Sequence, residues 1–433
     1  MKRQQRGRIL IISAILVLSV LSYGFASGQK ETGKKVTIKV ILPGDGIEGR
    51  KISKPYVEAF QQETGHTVEF SEVGWTAMHG KAAAALAAKS TDVDLIGTWK
   101  AWTEEFAYAG YLEDITDKIE PELKKDLNAA TNAVTYKGRL YGLPKFVSIR
   151  NFIYNAKMFQ EVGLDPARGP KDWYELIDYS QKLSRDKNGD GTKDQWGMLM
   201  GFGNANNCTF HYQDILVTTD ESFFNDKDEP TFGSADGILS MEILNKLARL
   251  DLINPASFGI NSGDSKRSAW LTGNAAMEHG WAADWVESND PKVSKVVGDV
   301  RLALAPGLKN KSGVVSGSEG YALSKFSQNK EVSMELMRYI IKPENQKDMT
   351  KRTGWMPVRW SVFTDPEMQK DPLVAHVAEQ LKYRAYRFGA PYASEVIEMF
   401  GAEVLAVVKG EKEPKKAIDD ALVKSKEIVK TFK

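Results

Sequence analysis

One cysteine, Cys208, stands among 433 residues. A single thiol allows no intrachain disulfide, so the fold must be held by its core. With no cysteine near the N-terminus, a lipid-modified cysteine is excluded there. Histidine is also scarce, at five residues, and none falls in an HExxH or similar metal spacing. There is no G-x-S-x-G elbow, no internal repeat and no low-complexity segment beyond the leader. The charges nearly cancel, with 58 basic and 57 acidic residues, which gives no electrostatic case for nucleic acid. Beyond the N-terminus, no apolar run is long enough to span a membrane.

What is present begins at that N-terminus. "MKRQQRGR" carries Lys2, Arg3, Arg6 and Arg8 without an acid, and an apolar run from Ile9 to Phe25 follows. The small residues of "YGFASGQ" then complete the layout of a secretory signal peptide over 1–27, cleaved after Ala26 or Ser27. A polar linker occupies 28–35. The alternative is an uncleaved anchor, since the run is almost long enough to span a bilayer. Either reading places the chain outside the cytoplasm, in the periplasm or an equivalent compartment. Loss of the four leader cations takes the formal charge from +1 to −3. The remaining roughly 400 residues are ample for a core and predict two lobes.

"KVTIKVIL" (35–42), "HTVEFSEV" and "TDVDLIGTW" read as strands, rich in β-branched residues. Between and after them lie the helical patterns "ISKPYVEAFQQETG", an Ala-rich segment and "WTEEFAYAG". Strand and helix alternate, so this half is α/β with a mostly parallel sheet. Ligands of such sheets sit beyond the C-terminal strand ends, where Asp45, Trp75 and Trp99 fall. Further on, 138–159 reads as extended chain entering a helix. "KRSAWLTGNAAMEHGW" reads as helix, turn at Gly273-Asn274, strand 275–279, and a loop led by Trp281. The C-terminal stretch is helical with a turn near 410–413.

"SRDKNGDGTKDQWG" (184–197) has the bare pattern of a calcium loop. Asp186, Asn188, Asp190 and Asp194 supply oxygens, Gly191 permits the turn, and the Thr192 carbonyl adds one ligand. Position twelve is Gly197 where an EF-hand needs a bidentate Glu. A structural calcium with a borrowed carboxylate and a plain Asx turn both remain open at this point. No other cofactor is implied.

Several segments together resemble the extracellular solute-binding proteins of ABC importers, in the maltose-binding-protein-like, sugar-binding branch. They are "AAALAAKSTDVDLIGTW", "YKGRLYGLPKFVSIRNFIYNAKMFQEVGL", "GNAAMEHGW", "GSEGYALSKFSQNKEVSMELMRYIIKPENQ" and "GWMPVR". The resemblance implies a two-lobe α/β periplasmic-binding-protein fold, type II-like, with a hinge crossed about three times. The crossings are expected near 143–148, 314–320 and 350–356. The first lobe is then 36–145 plus 317–350, and the second 148–315 plus 356–433. The Asp-rich loop belongs to the resemblance as well, which leans it toward a structural turn. A membrane permease is the implied partner, and a monomer the implied state.

A sugar site needs aromatic platforms for C–H faces and polar side chains for hydroxyls. Ten tryptophans are available. Trp281, Trp99, Trp355 and Trp75 are the aromatic candidates, whereas Trp173 and Trp196 read as structural. Asp45 is either a ligand or a turn residue between glycines. Glu319 lies in the second crossing. By the resemblance, Ser148 stands where many relatives carry an acid, so the usual carboxylate contact is missing there, with Arg150 or Asn151 as its replacement. Lys100, Arg387 and Tyr392 complete the candidates. The expected activity is capture of a mono- or oligosaccharide without bond chemistry. A polyamine site, which also joins aromatics to carboxylates, is the main rival. An extracellular carbohydrate-active enzyme is the other, with His279 and the His211–Asp214 stretch as its acid–base candidates.

Overall fold

The computed structural model describes residues 34–43, 50–387 and 389–432. The main strands are β1 (Thr37–Pro43), β2 (Thr67–Val73), β3 (Leu95–Trp99), β4 (Gly142–Phe146), β5 (Asn151–Asn155), β6 (Trp196–Leu199), β7 (Ala275–Gly280), β8 (Val300–Ala303), β9 (Gly313–Val315), β10 (Glu319–Leu323) and β11 (Arg384–Tyr386). The main helices are α1 (Arg50–Thr64), α2 (Trp75–Ala87), α3 (Lys100–Tyr108), α4 (Trp173–Leu183), α5 (Ala205–Leu216), α6 (Ala235–Arg249), α7 (Gly263–Trp270), α8 (Ala282–Ser288), α9 (Lys330–Ile340), α10 (Pro343–Thr353), α11 (Ala393–Val408) and α12 (Pro414–Phe432). No helix among the described residues is long and apolar enough to cross a membrane.

The first lobe is built on a five-stranded sheet in the order β2-β1-β3-β10-β4. β1 lies parallel to β2 and β3, as the alternation of strands and helices requires. β10 is antiparallel to both β3 and β4, so the sheet is mixed rather than mostly parallel. The reason is the route of the chain: β10 enters from the second lobe and not through a crossover helix. β3, reading LIGTW, is buried along its whole length, the mark of a central strand.

The second lobe carries the sheet β8-β5-β7-β6. α5, α6, α11 and α12 pack together beside it. The sequence pattern assigned no element to α5. Its residues Cys208–Leu216 are all buried, polar ones included, so no apolar stripe repeats at helical spacing. The loop expected after Trp281 is instead the short helix α8.

Three connections run side by side between the lobes. Val147 and Met356 exchange backbone hydrogen bonds at 2.8 and 3.2 Å, and Gly317 N donates to Ser148 O at 2.7 Å. The chain therefore crosses three times, with the 143–149 stretch in the middle.

The Asp-rich loop turns its oxygens toward its own backbone. Asp186 accepts from Gly189 and Gly191 at 2.7 Å each, Asn188 from Asp190 at 2.9 Å, Asp190 from Thr192 at 2.8 Å, and Asp194 from Lys187 at 3.0 Å. These are nested Asx-type turns. Among the described residues, no group of three or more His, Cys, Asp or Glu is placed to hold a metal.

Candidate ligand-binding cleft

Trp99 ends β3, 4% exposed, at the edge that faces the second lobe. Its strand neighbour across the ladder is Glu319, whose carboxylate meets the buried Lys145 ammonium at 2.7 Å. α3 starts at the next residue. There Lys100 Nζ reaches the Glu104 carboxylate at 2.6 Å and donates to Thr135 O at 2.9 Å. Burial pushes the Glu104 carboxyl up to about 7, although Lys100 opposes the shift.

From the second lobe, Trp281 follows β7 and sits just before α8, half-buried. Its backbone N–H donates to Asp284 Oδ2 at 2.7 Å, which fixes the turn into the helix. Its ring lies against Gly317 in the second crossing, where a Cβ would stand 2.8 Å from two ring carbons. Only glycine lets the ring settle on the hinge.

A continuous stack joins the lobes. Trp102 meets Trp99 edge-on, with centroids 6.0 Å apart. The Arg387 guanidinium lies 4.0 Å from the Trp99 ring and 4.4 Å from that of Phe210 in α5. Phe210 meets Trp281 edge-on at 6.2 Å, and Arg150 lies 5.7 Å from the Trp281 ring. Arg387 also donates to Ser316 O at 3.0 Å, tying the stack to the hinge.

Beneath Trp281 is a buried charge cluster. Arg150 pairs with Asp214 at 2.8 Å and donates to His279 O at 2.8 Å. His211 Nε2 accepts from Gly201 N at 2.7 Å. Burial, reinforced by Arg150, holds His211 and His279 well below the usual imidazole range, so both are neutral. Lys266 contacts the Glu278 carboxylate and donates to His279 O at 2.9 Å. Burial pushes Asp214 and Glu278 each up to about 7.

A groove of about 370 Å³ opens between the lobes, lined by none of the residues of the stack. Lys54 and Pro55 of α1 line one side, Val286 and Glu287 of α8 the opposite side, and Arg352 and Thr353 of α10 the hinge side. In sequence these helices follow Asp45, follow Trp281 and precede Trp355, respectively. The volume lies in the range of small-molecule sites.

The structure brings Trp99, Lys100, Ser148, Trp281, Glu319 and Arg387 close to the hinge, with Glu319 taken up as the buried partner of Lys145, and none of the six lines the groove. It sets others apart. Trp355 is 3% exposed and stacks on Phe146 at 4.5 Å, a packing role beside the hinge. Tyr392 is buried between Phe224 and Phe432 in the second lobe. Arg150 is the partner of Asp214 and does not stand open in place of the acid missing at Ser148. Asp45 lies outside the described residues, as does the side chain of Trp75, which opens α2. Sequence reasoning missed Phe210, Glu104 and Asp284. The i,i+4 spacing of Lys100 and Glu104 on a helix was a usable signal for one of them.

The family model described as bacterial extracellular solute-binding protein matches residues 55–376. The chain belongs to that family. This solute-binding protein is 23% identical to the galactooligosaccharide-binding protein of Bacillus subtilis, over 99% of each chain. It is 21% identical to the sn-glycerol-3-phosphate-binding periplasmic protein UgpB of Escherichia coli, over 68% of each. Among solved structures, maltose-bound T. maritima MalE3 superposes with a TM-score of 0.78 at 21% identity, covering 91% of this chain and 99% of that one.

Proposed function

We propose that this solute-binding protein captures a carbohydrate, a mono- or oligosaccharide, in the interlobe cleft and hands it to the membrane permease of an ABC importer. The observation that carries the reading is that Trp99 of the first lobe and Trp281 of the second are linked across the lobes through Arg387 and Phe210, with charged side chains close to both rings. Relatives named for maltose and galactooligosaccharides support it. Residues 36–145 plus 317–350 and residues 148–315 plus 356–433 move as the two closing bodies about the triple connection. The chain acts as an exported monomer after loss of residues 1–27. No bond is made or broken, in keeping with His211 and His279 each being only 2% exposed.

A thermal-shift screen tests this. The panel holds maltose, maltotriose, galactooligosaccharides, monosaccharides, sn-glycerol 3-phosphate, polyamines and calcium with chelator. A ligand that binds only the folded state raises the midpoint. A sugar shift that is lost in Trp281→Ala supports the reading. A shift with glycerol phosphate or polyamine and none with sugar overturns it.

A further inference from the structure

We propose that Arg387 fixes the ligand class of the cleft by filling, with the chain's own cation, the aromatic cage between Trp99 and Phe210. The proposal rests on the receptor reading above and adds that the ligand is not a cation. Two aromatic faces on either side of a positive group are the arrangement that captures ammonium ligands. Here the guanidinium already stands 4.0 Å from one ring and 4.4 Å from the other, and Arg387 is 8% exposed. A polyamine entering this space meets a like charge and no free aromatic face. A hydroxyl-rich ligand meets no such repulsion.

The segment that delivers Arg387 is built into place. β11 pairs with β9 in parallel, which anchors it to the second lobe. Arg387 Nη1 is bonded to Ser316 O in the hinge. Two residues on, Gly389 lies flush against the first lobe, where a Cβ would come 1.9 Å from Glu104 Oε2 and 2.8 Å from Lys100 Cγ. A larger residue there would displace the Glu104 carboxylate and crowd the Lys100 stem. Arg387 is therefore held from the hinge, from the second lobe and from the first.

The test reads cation binding by calorimetry, with Trp emission as a second signal, on the whole protein. Wild type is expected to show no saturable binding of spermidine or ethylguanidinium at millimolar concentration. Arg387→Ala empties the cage and is expected to gain saturable ethylguanidinium binding, at least tenfold above wild type. That gain is expected to vanish when Trp99→Leu is added. Arg387→Lys keeps a cation in the cage and is expected to behave as wild type, an outcome that loss of structure alone does not produce. Saturable spermidine binding by wild type overturns the proposal whatever the variants do, including the case in which Arg387→Ala fails to fold. A folded Arg387→Ala that binds no ethylguanidinium overturns it too. If the cage results stand while no sugar binds wild type, the carbohydrate reading fails and the role of Arg387 survives.

Discussion

The two lobes hold their aromatic platforms by different means. In the first lobe, Trp99 is the last residue of a central strand, and backbone pairing with β10 fixes it. One buried ion pair, Lys145–Glu319, stands beside it. In the second lobe, Trp281 leaves a strand and turns at once into a helix, where no ladder holds it. Side chains do that work instead: Asp284 caps the turn, and Arg150, Asp214, Lys266 and Glu278 form a charged bed beneath the ring. A platform set by backbone tolerates nearby substitutions, whereas one set by a buried charge network depends on each member.

The sharpest way to break this comparison is Arg150→Ala. It leaves Asp214 buried without its guanidinium, for an expected loss of about 3–5 kcal/mol. Urea denaturation measures it, and an unchanged midpoint would show that the second lobe does not rely on its network.

Next come the platforms themselves. Trp281→Ala is expected to weaken sugar binding by about 2 kcal/mol or more, roughly 30-fold, read by calorimetry, and Trp99→Ala, at a ring that Arg387 already covers, is expected to weaken it less. Trp281→Ala should cost less stability, because its ring is half-buried and Trp99 is in the core.

Glu104 gives a smaller, pH-dependent effect. Its folded pKa, about 7, lies above the unfolded value, so the folded protein binds the proton more tightly. This contribution is fully present below the unfolded value and is lost as pH rises through 7. Glu104→Gln is expected to flatten the decline in stability between pH 5 and 8 by roughly 1–2 kcal/mol. Denaturation curves at the two pH values check it, and an unaltered slope would place the carboxylate in a wetter site.

The smallest effect is at the Asp-rich loop. Asp186→Ala removes two turn hydrogen bonds at an expected cost of about 1 kcal/mol. Calcium should leave the melting midpoint of wild type unchanged. A chelator-sensitive midpoint would make the loop a metal site after all.

Much of this architecture was legible in the chain. β-branched runs marked β1 to β3, and the turn at Gly273-Asn274 marked the approach to Trp281, because each rests on local backbone preferences. The mixed sheet was not legible, since the direction of β10 is decided by a return from the other lobe. α5 was hidden because its polar residues are buried, which erases the amphipathic period. Trp99 and Trp281 were singled out from their places at strand ends, and the structure puts both at those ends. Phe210 was missed for the same reason as its helix. Trp355 and Tyr392 are packed among other aromatics, which the sequence could not show, because an aromatic in a loop looks alike whether it faces a cleft or a core.

The most direct measurement is a calorimetric titration of the protein with maltotriose and with galactooligosaccharides, repeated on Trp281→Ala. Saturable binding of at least one sugar by wild type, weakened roughly 30-fold or more in the variant, is the expected result. Sugar binding that survives Trp281→Ala undiminished, or none at all in the folded wild type, would contradict capture of a carbohydrate on this platform.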